Sequence, residues 1–142
     1  MILYLDTSSL LKYYIEEADS ASVRYWIAAA SVLTTSRITL AEAAAALSRR
    51  QLGSGLSRKQ CRVALTELEA DWPLYTAVDL DEHRAATIAW RHLLRGFDAV
   101  QLTAALTVAQ GAGTERLAFS SFDDKLNEAA RAEGLTVLEP RD

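Results

Sequence analysis

Five apolar-rich residues at the start of the chain, Met1 to Leu5, run directly into Asp6, and Thr7, Ser8 and Ser9 then open a second apolar-rich stretch from Leu10 to Tyr14. A short continuous apolar run bounded by turn-forming residues reads as a strand buried on both faces. The small hydroxyl residues that follow supply N-cap chemistry for a helix. The pattern places Asp6 at the carboxyl end of a buried parallel strand, where open α/β sheets bind their ligands. A plain turn or helix cap accounts for Asp6 equally well. Other acids further along the chain bear on the choice.

Strand-like and helix-like segments alternate through the rest of the sequence. Residues 20–30 (SASVRYWIAAA) predict a helix with Val23, Ile27 and Ala30 on one face, and Val32 to Ser36 a second strand. From Ile38 the stretch ITLAEAAAALSRRQLGSG reads as a helix ended by Gly53 and Gly55. Ser57 caps another that stops at Pro73, and residues 73–80 (PLYTAVDL) predict a third strand. Asp81 caps a helix ended by Gly96; Phe97 and Asp98 open the next, which closes at Gly111. A fourth strand falls within 115–121, a helix over 123–133 and a fifth strand over 135–138. This order predicts an α/β fold: a parallel five-stranded sheet covered on both faces through right-handed crossovers. A length of 142 residues fits one domain, 1–142.

Charge excludes little. With 15 basic and 19 acidic residues the net charge is −4, without the strong basic excess that advertises nucleic-acid binding. Setting aside the four acids discussed next leaves the charges balanced, so a metal-charged pocket in a neutral protein still suits a phosphodiester. The single cysteine, Cys61, excludes an intramolecular disulfide, fits a reducing compartment and reads as a small buried thiol. No basic region precedes the first apolar run and no apolar stretch nears the ~18 residues of a membrane span. A cytoplasmic protein without membrane attachment is expected.

Acids that fall where apolar residues belong are the informative ones, because Asp and Glu are rarely buried without a partner. Glu42 is the only charged residue between Ile38 and Leu47, set among closely packing alanines. A helix-favouring anion near a helix start is its plainer explanation. Asp98 is followed at helical spacing by Leu102, Ala105, Leu106 and Ala109, so it shares the face that packs on the sheet. Asp123 and Asp124 start a helix after the fourth strand, an ordinary capping place, yet also another strand's carboxyl end.

If these acids converge, they form an oxygen-rich pocket. Mg2+ and Mn2+ prefer carboxylates and water. Such an ion lowers the pKa of bound water and stabilises both oxygens of an in-line phosphoryl displacement. Without a cation, carboxylates held together repel and raise one another's pKa.

The stretches YLDTSSLLKYY, LAEAAAAL, LRGFDAVQLTAAL and FSSFDDKLNEAARAEGLTVL occur in this order over nearly the whole chain. Together they resemble PIN-domain ribonucleases, and most of all the VapC-type toxins of toxin–antitoxin pairs; LRGFDAVQLTAAL is the most specific of the four. The resemblance implies a single three-layer PIN domain that cleaves RNA endonucleolytically with Mg2+, or Mn2+ in its place. It also implies dimerisation and inhibition by a cognate antitoxin protein. It assigns catalysis and metal binding to Asp6, Glu42, Asp98 and Asp123. Asp6 and Asp98 would be the principal ligands, with Glu42 and Asp123 ligating directly or through water and activating it. Thr7, Ser8, Ser121 and Asp124 fall at supporting positions.

Other classes fit less of the sequence. An aspartyl-phosphate phosphatase needs a second Asp two residues after the first, where Ser8 stands. A receiver domain needs an acidic pair after its first strand and an acceptor Asp after a later one, and has neither here. Histidine acid–base cleavage of RNA would rest on His83 and His92, both in one predicted helix, with His92 on a solvated face beside Arg91 and Arg95. A catalytically inactive PIN-like module would keep the fold for protein contact, using Tyr13, Tyr14, Tyr25 and Trp26 as an aromatic patch. Core or rim packing accounts for the same aromatics. A housekeeping PIN nuclease without an antitoxin is a further alternative. Arg49, Arg50, Arg58, Lys59 and Arg62 read either as RNA-steering charge or as solvated helix faces.

Overall fold

Strand β1 (Ile2–Leu5) is the middle of a five-stranded sheet, and the pleat sends its side chains into two separate cores. The computed structural model describes residues 1–53 and 55–141; residue 54, inside the segment expected to end the third helix, and residue 142 lie outside the described residues. Leu3 and Leu5 pack on one face with Leu10, Val23, Leu47 and Leu68. Tyr4 packs on the other with Phe119, Leu102 and Leu126. The Tyr4 and Phe119 rings stack with centroids 5.6 Å apart.

The elements follow in the expected alternation. Helices α1 (Thr7–Tyr14) and α2 (Ser20–Ala29) lead to β2 (Val32–Ser36), and α3 (Thr39–Arg50) and α4 (Arg58–Asp71) lead to β3 (Thr76–Val78). Helices α5 (Glu82–His92) and α6 (Gly96–Ala112) precede β4 (Leu117–Ser120), and α7 (Asp124–Ala132) precedes β5 (Thr136–Val137). The sheet is entirely parallel in the order β3-β2-β1-β4-β5. The chain thus moves outward from β1 to β3, then returns across the sheet to β4. Right-handed crossovers in opposite directions put their helices on opposite faces, so α1–α4 cover one side and α5–α7 the other. The result is the three-layer α/β fold.

Local chemistry sets most boundaries. Ser57 and Gln60 form a reciprocal capping box at the start of α4. Residues Ala99 to Leu106 of α6 are all buried, the mark of a helix with apolar surroundings on every side. Three expectations are corrected. Gly96 does not end α5; Leu93 does, in the left-handed region (φ 56°), its carbonyl accepting a 2.6 Å hydrogen bond from Lys125 Nζ. Gly96 instead opens α6, which runs to Ala112 and stops at Gly113 (φ 104°) rather than at Gly111. The third strand is shorter than residues 73–80, because Pro73 draws Trp72–Leu74 into a 3-10 turn.

The aromatic residues of the first two helices do not form one patch. Trp26 is buried, Tyr14 hydrogen-bonds Asp71 and Tyr75, and only Tyr13 and Tyr25 are exposed. His92 is also not on a solvated face, since its Nε2 lies 2.7 Å from Glu133 Oε2. Cys61 is a buried free thiol. Among the described residues no helix is long and apolar enough to cross a membrane.

Phe119 is fully buried and stacked on Tyr4 beside the central strand. Phe119→Ala is expected to cost about 3–5 kcal/mol of unfolding free energy, the usual range for deleting a buried ring. Urea denaturation measures it, and a loss below ~1 kcal/mol would contradict close packing of this ring in its core.

Candidate active site

Between β1 and β4 the strand order reverses, and a crevice opens at their carboxyl ends. Asp6 sits at this point, only 5% exposed, with its backbone N–H donating to the Ser120 carbonyl at 3.1 Å. It does both things its sequence position suggested. Its Oδ1 caps α1 by accepting from the Ser9 N–H at 2.9 Å, and its side chain lines the crevice. Ser8 Oγ donates to Oδ1 at 2.7 Å and Ser121 Oγ donates to Oδ2 at 2.6 Å. Each of these hydroxyls also accepts a backbone N–H, Ser8 from Phe122 and Ser121 from Asp123. A hydroxyl has one proton, so both accepted bonds aim that proton at Asp6. Beneath them the Ser9 and Ser120 hydroxyls hydrogen-bond each other.

Three further acids line the same cleft, which has a volume of about 600 Å³. Glu42, in the first turn of α3, accepts at Oε1 from Thr7 Oγ1 (2.7 Å) and Gln101 Nε2 (2.8 Å). Asp98, in the first turn of α6, accepts no hydrogen bond from a described residue. Asp123 caps α7 through Oδ1, which accepts from the Leu126 N–H at 3.0 Å. Helix starts favour anions, which explains how the chain tolerates so many there. Asp124 stands apart from the other supporting residues; it is exposed at the start of α7 and does not line the cleft.

The electrostatics are those of a crowded anionic pocket. Burial, opposed by the hydrogen bonds from Ser121, Ser9 and Ser8 and aided by the charge of Glu42, pushes the Asp6 carboxyl up to about 6. Burial raises Asp98 as well, followed by the charges of Asp123 and Glu42, with Arg95 and Lys125 acting against them. Among the described residues Asp6 Oδ2 has one donor, and Glu42 Oε2, Asp123 Oδ2 and both oxygens of Asp98 have none. Among the described residues no three His, Cys, Asp or Glu side chains form a group that could close around a metal ion as placed. Mg2+ takes one or two carboxylates directly and completes its shell with water, so it does not require such a group. The donors are all hard oxygens, and their mutual repulsion is relieved by a divalent cation. The residues fit such an ion.

One buried group here escaped the sequence reading. Gln101 on α6 is 2% exposed and lines the cleft, its two amide protons shared among Glu42, Thr7 and Thr39 and its carbonyl accepting from Tyr4. Its signal was a lone amide in the run AVQLTAAL, apolar apart from Thr103. Arg49 and Arg50 line one end of the cleft, with Arg50 also paired to Glu17 at 2.7 Å.

The raised Asp6 carboxyl has a consequence for stability. Between its ordinary range near 3.8 and about 6 the folded state holds a proton that the unfolded state releases. Stability from this group therefore falls as pH rises through that window, by up to about 3 kcal/mol at one decade per ~1.4 kcal/mol. Asp6→Asn lacks the penalty, so in chelator its urea midpoint should gain on the wild type between pH 4.5 and 7.5. An unchanged difference between the two across this range would contradict the raised carboxyl.

Comparison with protein families matches residues 3–132 to the PIN domain. The chain is 29% identical over 139 residues to Ribonuclease VapC45 and to Ribonuclease VapC49, both of Mycobacterium tuberculosis, covering 96% of this chain and 94% of each relative. Among solved structures it resembles PAE2754 from Pyrobaculum aerophilum (TM-score 0.63, 19% identity, 96% of this chain and 82% of that one). It also resembles FitAcB from Neisseria gonorrhoeae (TM-score 0.62, 22% identity, 99% and 98%). These two likenesses concern the fold. With a match spanning nearly its whole length and a cleft at the switch point of a parallel sheet, the chain belongs to the PIN domain family.

Proposed function

We propose that the chain is a divalent-metal-dependent endoribonuclease and the toxin of a toxin–antitoxin pair. The observation that carries this reading is that Asp6, Glu42, Asp98 and Asp123, from four separate segments, line one cleft. Each keeps at least one oxygen not fully occupied by protein donors. The names of the two mycobacterial ribonucleases support RNA as substrate, and the antitoxin partner follows from the resemblance to VapC-type toxins.

In this reading Asp6 and Asp98 are the principal ligands of Mg2+, or of Mn2+ in its place, and Glu42 and Asp123 ligate directly or through water. The ion supplies a bound water of lowered pKa and neutralises charge on the phosphate. The protein's own groups prepare the site. Ser8, Ser121 and the Ser9 N–H fix Asp6, and Thr7 holds Glu42. The second oxygens of Glu42 and Asp123 orient the attacking water and take its proton. Asp124 has no part in this.

The cleft continues in both directions. One neighbouring cavity shares Arg49 and Arg50 with it, and the other shares Ile38, Phe97 and three of the four acids. Exposed Arg49 offers a phosphate contact. Phe97, 64% exposed beside Asp98, offers a ring face for an unpaired base. The exposed apolar side chains Leu80, Trp90 and Leu93 support cover by protein, the antitoxin or a second copy in a homodimer. Such a toxin works where its RNA and antitoxin are made, in the cytoplasm.

Asp98→Asn is the direct test. Purified wild type incubated with mixed cellular RNA should yield discrete fragments with Mg2+ or Mn2+ and none with chelator. The variant should lose more than the ~10–100-fold that an outer-shell change costs, while melting at or above the wild-type temperature because a crowded carboxylate is gone. Undiminished cleavage by the variant would sink the assignment of Asp98. Absence of cleavage by folded, metal-loaded wild type would favour the inactive binding module.

A further inference from the structure

We propose that Gln101 is a positioning residue that sets the orientation of Glu42, and that Tyr4 in turn fixes the direction of the Gln101 amide. The proposal rests on the reading of the four acids as a metal-dependent nuclease site.

Four elements meet at this amide. Tyr4 of β1 donates to Oε1 at 2.6 Å, and Nε2 lies 2.8 Å from Glu42 Oε1 and 3.0 Å from Thr39 Oγ1, both on α3. Thr7 Oγ1 of α1 is 3.1 Å from the same nitrogen. Only one direction of the amide is chemically consistent. A carboxylate oxygen only accepts, so the side facing Glu42 must be the NH2. The other side must then accept, and Tyr4 has a proton to give.

The consequence falls on Glu42. Its Oε1 takes both Thr7 Oγ1 and Gln101 Nε2, while Oε2 has no donor among the described residues. Two donors on one oxygen fix a side chain that otherwise swings about three torsions at a helix start. The residue type matters. A lysine at position 101 would neutralise Glu42 and compete with a cation, and a carboxylate would repel it. A neutral amide orients the acid without cancelling its charge. Gln101 also follows Asp98 by one helical turn, so α6 carries one acid of the cleft and the residue that positions another.

The test uses the full chain as wild type, Gln101→Leu, Tyr4→Phe, Glu42→Gln and the Gln101→Leu/Glu42→Gln double variant. Mn2+ binding is followed by electron paramagnetic resonance, and RNA cleavage by steady-state kinetics across a Mn2+ titration. Gln101→Leu should lower kcat roughly 10- to 100-fold and raise the Mn2+ midpoint, leaving KM for RNA within about twofold. Tyr4→Phe, which retains the ring stacked on Phe119, should move both quantities the same way by less. In the Glu42→Gln background, Gln101→Leu should have no further effect. Wild-type kcat and Mn2+ midpoint in folded Gln101→Leu, or fully additive losses in the double variant, would overturn the proposal. If Gln101→Leu does not fold, unchanged kinetics and Mn2+ binding in Tyr4→Phe would overturn it instead. A wild type that neither binds Mn2+ nor cleaves RNA would sink the reading of the site itself. A cleaving wild type beside an unaffected Gln101→Leu would sink only the role of Gln101.

Discussion

The carboxylate of Asp6, buried at the end of the central strand, sets the terms for everything at that edge of the sheet. An ionised carboxylate out of water needs donors, and the chain supplies the Ser9 N–H and the Ser8 and Ser121 hydroxyls. The Ser9 N–H and the Ser8 hydroxyl come from the first turn of α1, and the Ser121 hydroxyl from the residue after β4, held alongside by β-pairing. None carries a full charge. The negative charge is held in place rather than cancelled, and the carboxyl remains pushed up to about 6. A lysine or arginine would hold the acid more firmly and take the place of a cation.

Sheet topology then decides what Asp6 meets. The chain leaves β1 in one direction and returns to its other side at β4, so the two halves part at one point. Helices α1 and α3 approach that point from one face, α6 and α7 from the other. Every one of the four acids is at a helix start or its cap. The helix dipoles offset part of the repulsion among them. Burial, and after it what remains of this repulsion, raises the Asp98 carboxyl, a standing cost to the fold. Proteins commonly concentrate such costs where chemistry is done.

Much of the architecture was legible because period and punctuation agree. The apolar run before Asp6, the Ser57 capping box and the alternation of strands with helices all act over a few residues, where local energetics dominates. One misread boundary is a place where a distant group intervened. Leu93 ends α5 in a conformation that glycine usually adopts, with Lys125 of α7 bonding its carbonyl. No pattern near residue 93 announces a lysine 32 residues away. His92 was read as solvated for the same reason, since Glu133, its partner, belongs to the far end of α7. Asp123 and Asp124 are adjacent and chemically alike, and only the direction in which α7 begins separates the one lining the cleft from the one in solvent.

The sequence by itself determined the parallel α/β fold, the order of its elements and the positions of four acids at strand ends or helix starts. Those features depend on hydrophobic period, capping and turn chemistry, which are properties of neighbouring residues. Tertiary structure decided which oxygens meet. That Thr7 and Gln101 share one oxygen of Glu42, and that Tyr4 turns the amide toward it, depends on contacts between residues up to 97 positions apart. A hydrogen bond is made or lost within a few tenths of an ångström. Spacing in sequence does not fix distances that fine; the packing of three helices against one strand does.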